Sequence, residues 1–127
     1  MNFLIDTHVL LWYLEGNRSL PRKIRTHVDN SDNDIFISIA SFWEIAIKLA
    51  AGKLNTKITL SQIGEDIIKR EFGVLNITFQ HLDALMTLPK VHGDPFDRLI
   101  IAKAITGGLT ILSADRHFKD YPVNVVW

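Results

Sequence analysis

Short apolar runs alternate with stretches of helical period along this chain, and the alternation predicts most of its elements. Phe3-Leu4-Ile5 is a first strand, followed by Asp6-Thr7 as helix caps, a helical stretch from Val9 to Leu14, and a stop at Gly16. Pro21 can open a second helix, on which Ile24 and Val28 share a face while Arg22, Lys23 and Arg25 take other faces. The polar turn Asn30 to Asp34 leads to a second strand, Ile35-Phe36-Ile37. A helix from Ser41 to Ala51 then carries Trp43, Ile47 and Ala50 at helical spacing, and Gly52 closes it.

Thr59 and Gln62 have the spacing of a capping box at the head of a helix that buries Ile63, Ile67 and Ile68 and ends near Gly73. Val74 to Ile77 is the third strand. Thr78 caps a short helix bearing Leu82, Leu85 and Met86, which Pro89 terminates. After the loop Lys90 to Gly93, Asp94-Pro95 reads as an N-cap with proline at the first helical position, and that helix runs to about Thr106 before Gly107 and Gly108. Leu109 to Leu112 is strand four, Asp115 to Lys119 a helical turn, and Val123 to Trp127 the last strand. Such alternation predicts a three-layer α/β/α sandwich with a mainly parallel central sheet. At 127 residues without linker or repeat, a single domain over residues 1–127 is expected.

Four acids stand out against this pattern. Asp6, Glu44, Asp97 and Asp115 each lie where an apolar, strand-like run gives way to a helix, or inside the first turn of that helix. In a parallel sheet those positions share one end, where open α/β proteins bind ligands. Each acid also has a local reading. Asp6 and Asp115 can be N-caps, Glu44 completes a Ser41-x-x-Glu44 capping box, and Asp97 complements a helix dipole. Together they fit local readings poorly. Unit charges about 4 Å apart repel by roughly 4 kcal/mol at an effective dielectric near 20, more than a cap or dipole contributes. A hard divalent cation, Mg²⁺ or Mn²⁺, would relieve that repulsion.

Composition narrows the chemistry further. The chain has no cysteine, which excludes thiolate zinc sites and cysteine nucleophiles and fits a reducing, cytoplasmic setting. Its 14 basic and 14 acidic residues cancel; setting the four acids aside leaves 10 acidic residues against 14 basic ones, a mildly basic remainder that tolerates a polyanion. The opening MNFLIDTHVLLWYLEG is interrupted by Asp6-Thr7-His8 and is too short to span a membrane.

The segments Asp6-Thr7-His8-Val9-Leu10-Leu11-Trp12, Ser38 to Lys48, His92 to Ala102 and Ser113-Ala114-Asp115, in that order over nearly the whole chain, resemble a PIN-domain nuclease of the VapC toxin type. The resemblance implies cleavage of single-stranded RNA with Mg²⁺ or Mn²⁺ held by Asp6, Glu44, Asp97 and Asp115. It further implies a homodimer and a cognate antitoxin protein. Ser113 matches the small hydroxyl residue accompanying the last acid, and Thr7 and Asp94 are supporting candidates, Asp94 doubling as an N-cap. Lys48, Arg98, Arg116 and Lys119 are candidates for the RNA backbone. His8 and His92 lie close in sequence to proposed site residues, where an imidazole could bind metal or contact phosphate, and a surface or hydrogen-bonding role is the expectation. The first helix, Val9 to Leu14, has little polar face, which predicts apolar surface covered by another chain, the alternative being a helix fully buried in this domain.

Two other functions are weighed with this one. A fold retained only for RNA or protein binding would have no reason to concentrate carboxylates. A phosphohydrolase using Asp6 as nucleophile would be expected to carry two aspartates flanking one residue, where this chain has Asp6-Thr7-His8.

Overall fold

Strict alternation of side-chain direction divides the apolar residues of each strand between two faces of one sheet. In the computed structural model, which describes residues 1–127, the sheet consists of β1 (Asn2–Ile5), β2 (Asp34–Ser38), β3 (Gly73–Leu75), β4 (Thr110–Leu112) and β5 (Val125–Val126). All neighbours pair in parallel, in the order β3-β2-β1-β4-β5. Leu4 is registered with Phe36 on one side and Ile111 on the other.

On one face Phe3, Ile5, Ile35, Ile37 and Leu112 pack against α1 (Thr7–Glu15), α2 (Arg22–Asp29), α4 (Leu60–Lys69) and Ile45 of α3 (Ile39–Ala50). On the other, Leu4, Phe36 and Ile111 pack against α6 (Pro95–Gly107), Leu85 of α5 (Phe79–Thr87), and Phe118 of the 3-10 turn Arg116–Asp120. The expected sandwich is therefore present, with helices on both faces. The chain runs outward from β1 in both directions, so β1 and β4 flank the switch point where parallel sheets open a crevice beyond their C-terminal ends.

Local chemistry accounts for the element ends. Asp6 caps α1, and Gly16 closes it at φ 64°, a conformation that favours glycine. Thr59 with Gln62 forms the expected capping box of α4, and Asp94 caps α6 ahead of Pro95. Gly73 is required for a different reason. A Cβ there would meet the Phe36 ring at 2.6 Å, so the edge strand approaches β2 only without a side chain.

Several predicted details differ. α3 starts at Ile39 because the Ser38 hydroxyl accepts from Ala40 N, two residues before the sequence suggests. Its inward face is consequently Ala40, Ser41, Glu44 and Ile45, while Trp43 and Ile47 are exposed. Ile68 of α4 is also exposed, as is Met86 of α5. The first helix departs most from expectation. Val9, Leu10, Leu11 and Tyr13 are all buried in this chain's own core, so α1 leaves no broad apolar face for a partner.

One buried cation was not anticipated. Lys103 of α6 lies inside and donates to Leu75 O, the carbonyl at the end of β3, at 2.7 Å. Burial pulls its ammonium down to about 8.

Candidate functional site

Asp6 stands directly after β1, and its carboxylate is occupied on both oxygens. Oδ1 accepts from His8 N at 2.8 Å and Val9 N at 3.2 Å, and Oδ2 accepts from the Ser113 hydroxyl just beyond β4. Capping and membership of the site thus coexist in one side chain. Burial pushes the Asp6 carboxyl above its ordinary value, against the lowering effect of those donors.

Glu44 takes a different role from its capping-box alternative. Because Ser38 rather than Ser41 caps α3, Glu44 falls in the second turn, buried and far from the free N–H groups. Its Oε1 accepts from Thr7 Oγ1 at 2.7 Å and its Oε2 from Lys48 Nζ at 2.6 Å. Thr7, at the first position of α1, is therefore a link to α3 rather than a cap.

Asp97 projects from the first turn of α6, below Asp94. Asp94 Oδ1 accepts from Phe96 N and Asp97 N, confirming the N-cap while leaving the residue on the cavity wall. The Asp97 carboxyl is pushed up to about 8, first by burial and then by Asp94, Asp6, Asp115 and Glu44 in that order. Only charges gathered in one place act this way on a single group. Asp115 caps the 3-10 turn through His117 N at 2.9 Å, and its own N–H donates to the Ser113 hydroxyl.

All four acids open onto one cleft of about 390 Å³, lined also by Thr7, His8, Trp12, Lys48, Asp94 and Ala114. The topology thus brings the sequence-selected quartet together. Ser113 lies buried immediately behind Asp6. Of the four basic candidates, Lys48 alone lines the cleft. Arg98 is turned away, donating to Pro89 O at 2.8 Å and Tyr121 Oη at 3.0 Å. Arg116 and Lys119 are exposed on the 3-10 turn beside Asp115.

Three contributors escaped the sequence reading. Trp12, one turn along α1 from His8, forms an aromatic wall of the cleft, with ring centroids 6.1 Å from His8 and 6.0 Å from Trp127. Its period with His8 was the available signal. Tyr121 holds His92 by a 2.8 Å contact at Nδ1, and His92 Nε2 lies 3.3 Å from Asp97 Oδ2. His117 stacks on His92 with centroids 4.8 Å apart and planes 2° from parallel. Nothing in spacing alone joins residues 92, 117 and 121.

Comparison with known proteins agrees with this architecture. The family model described as "PIN domain" matches residues 3–124. A solved structure of VapBC2 from Rickettsia felis, bound to a DNA fragment from their promoter, is similar to the chain with a TM-score of 0.74 at 17% identity, covering 100% of this chain and 99% of that one. DNA-bound VapBC from Salmonella typhimurium gives 0.72 at 20% identity, covering 99% and 97% respectively. FitAcB from Neisseria gonorrhoeae gives 0.67 at 19%, covering 98% and 96%. No curated protein matches the chain. At these identities the structural likeness establishes the fold.

Proposed function

The chain belongs to the PIN-domain family, and on that premise we propose that it is a metal-dependent endoribonuclease hydrolysing single-stranded RNA, the VapC-type toxin of a toxin–antitoxin pair. The observation that carries this reading is the convergence of Asp6, Glu44, Asp97 and Asp115 on one cleft, where burial first and then the neighbouring carboxylates raise the Asp97 carboxyl to about 8. Of these carboxylates Asp6 and Glu44 are buried, and Lys48 is the one cation lining the cleft, so the group is short of counter-charge. Its all-oxygen donor set suits Mg²⁺ or Mn²⁺ rather than a softer ion.

A divalent cation held by Asp6, Glu44, Asp97 and Asp115 would supply a more acidic water and positive charge beside the scissile phosphate. The protein's own groups do the rest. Ser113 and the α1 backbone fix Asp6, and Thr7 fixes Glu44, so the carboxylates are oriented before substrate arrives. Trp12 and His8 offer ring faces to an unpaired base, a contact worth about 1–3 kcal/mol. Lys48, with Arg116 and Lys119 outside the cleft, carries charge for the phosphate backbone.

The similarity to VapBC structures supports an antitoxin partner. Apolar side chains exposed on α3 (Ile39, Trp43, Ile47) and on α5 (Phe79, Leu82, Met86) support a homodimer, in place of the α1 surface expected from sequence. No helix is long and apolar enough to cross a membrane. A cytoplasmic location is part of the proposal.

The test is incubation of purified protein with single-stranded RNA in Mg²⁺, in Mn²⁺ and with chelator. Cleavage that chelator abolishes is expected. RNA binding without cleavage in all three would favour a PIN-fold domain that only binds.

A further inference from the structure

Beside the acidic cleft, His92, Asp115 and His117 present one ligand atom each within 4.8 Å of one another. They come from the loop before α6 and from the 3-10 turn after β4, segments that the fold alone brings together. We propose that these residues form a second cation site, selective for Zn²⁺, which shares Asp115 with the acidic quartet.

Donor chemistry separates the two sites. Two imidazoles with one carboxylate suit Zn²⁺ and its neighbours, whereas Mg²⁺ takes oxygen donors. Geometry supports the assignment. Ligand atoms sharing a tetrahedral Zn²⁺ at bonds of about 2.0–2.2 Å stand roughly 3.3 Å apart. His117 Nδ1 is 3.0 Å from Asp115 Oδ1, so that edge already has the spacing, and a ligand atom of His92 lies within 4.8 Å of both. His92 must close on that pair from within 4.8 Å. The His117 side chain is 57% exposed, while His92 is 13% exposed.

A hydrogen-bonded support, of the kind that orients metal-binding histidines, is also present. Tyr121 Oη accepts from Arg98 Nη1 at 3.0 Å and meets His92 Nδ1 at 2.8 Å, leaving Nε2 as the nitrogen that faces the carboxylates. A cation here is surrounded by negative charge from Asp97 and Asp115. Its occupancy draws Asp115 away from the quartet, so Zn²⁺ opposes catalysis by Mg²⁺. That inhibitory consequence rests on the nuclease reading. The binding itself does not.

The experiment titrates Zn²⁺, and Co²⁺ as a spectroscopic substitute, into protein held in excess Mg²⁺. Expected are nitrogen-ligated Co²⁺ absorption and perturbed imidazole NMR signals of His92 and His117, with His8, His27 and His81 unchanged. His117→Ala should weaken Zn²⁺ by about tenfold or more, the scale on which even outer hydrogen-bond partners act. It should also reduce the fold-inhibition of each protein's own Mg²⁺-driven cleavage. Zn²⁺ affinity unchanged in His117→Ala, or perturbation of His8 in place of His92 and His117, would overturn the site. If the protein cleaves no RNA, the NMR and Co²⁺ readouts still decide the binding claim.

Discussion

Lys48 Nζ lies 2.6 Å from Glu44 Oε2, joining a residue expected to hold RNA to one expected to hold metal. The carboxylate is buried while the ammonium is about one-third exposed, so the pair closes the cleft on its α3 side. Before any cation binds, Lys48 supplies the counter-charge that Glu44 lacks elsewhere. Lys48→Met should therefore destabilise the metal-free protein by about 1–3 kcal/mol, the cost of leaving a buried charged acceptor short of a partner. Saturating Mn²⁺ should recover most of the loss. Urea denaturation with chelator and with Mn²⁺ measures both, and equal losses in the two conditions would separate Glu44 from the metal.

The raised Asp97 carboxyl makes metal-free stability depend on pH in a defined sense. Its value rises from 3.8 to about 8 on folding, so between these limits the folded state holds a proton that the unfolded state releases. This contribution is fully present below the unfolded value and is lost as pH rises through the folded one. With chelator present, the melting temperature should fall from pH 5 to pH 8, and Asp97→Asn should flatten the decline. Bound Mg²⁺ or Mn²⁺ should reverse the trend, because the ion competes with that proton.

Phe79 and Met86 of α5 are 87% and 84% exposed, an unusual cost for side chains of that size unless another chain covers them. Light scattering at micromolar concentration should give the mass of a dimer. Phe79→Glu with Met86→Glu should shift it to monomer without lowering the melting temperature of the chain itself. A monomeric wild type would remove the dimer.

How much of this could be read in the sequence differs between fold and site. Strand–helix alternation was legible because parallel strands are apolar on both faces and caps such as Asp6, Thr59 and Asp94 mark helix starts locally. Facing was less legible. Trp43 and Ile47 have helical spacing on α3, yet the buried positions are Ser41, Glu44 and Ile45, because a helix beside a polar cleft turns polar groups inward.

The acid quartet emerged because Asp6 and Asp115 follow strands β1 and β4 while Glu44 and Asp97 lie early in α3 and α6, and the fold brings all four to one cleft. In the sequence, Ser41 gave Glu44 a capping-box alternative. Moving the cap to Ser38 removes that alternative and leaves Thr7 and Lys48 as its partners. The histidine–tyrosine network was illegible, since Tyr121 and His92 are 29 residues apart and carry no periodic signature.

The central claim is that converging carboxylates carry metal-dependent RNA cleavage, and the most direct measurement compares Asp6→Asn with wild type in Mg²⁺. Asparagine keeps the side-chain oxygen that caps α1 and removes a buried charge, so the variant should melt at or above the wild-type temperature in chelator. Its single-turnover cleavage of single-stranded RNA should fall by a factor on the order of 100 or more, the scale of losing one electrostatic stabiliser from a site. A folded Asp6→Asn protein that cleaves at near the wild-type rate would contradict the account.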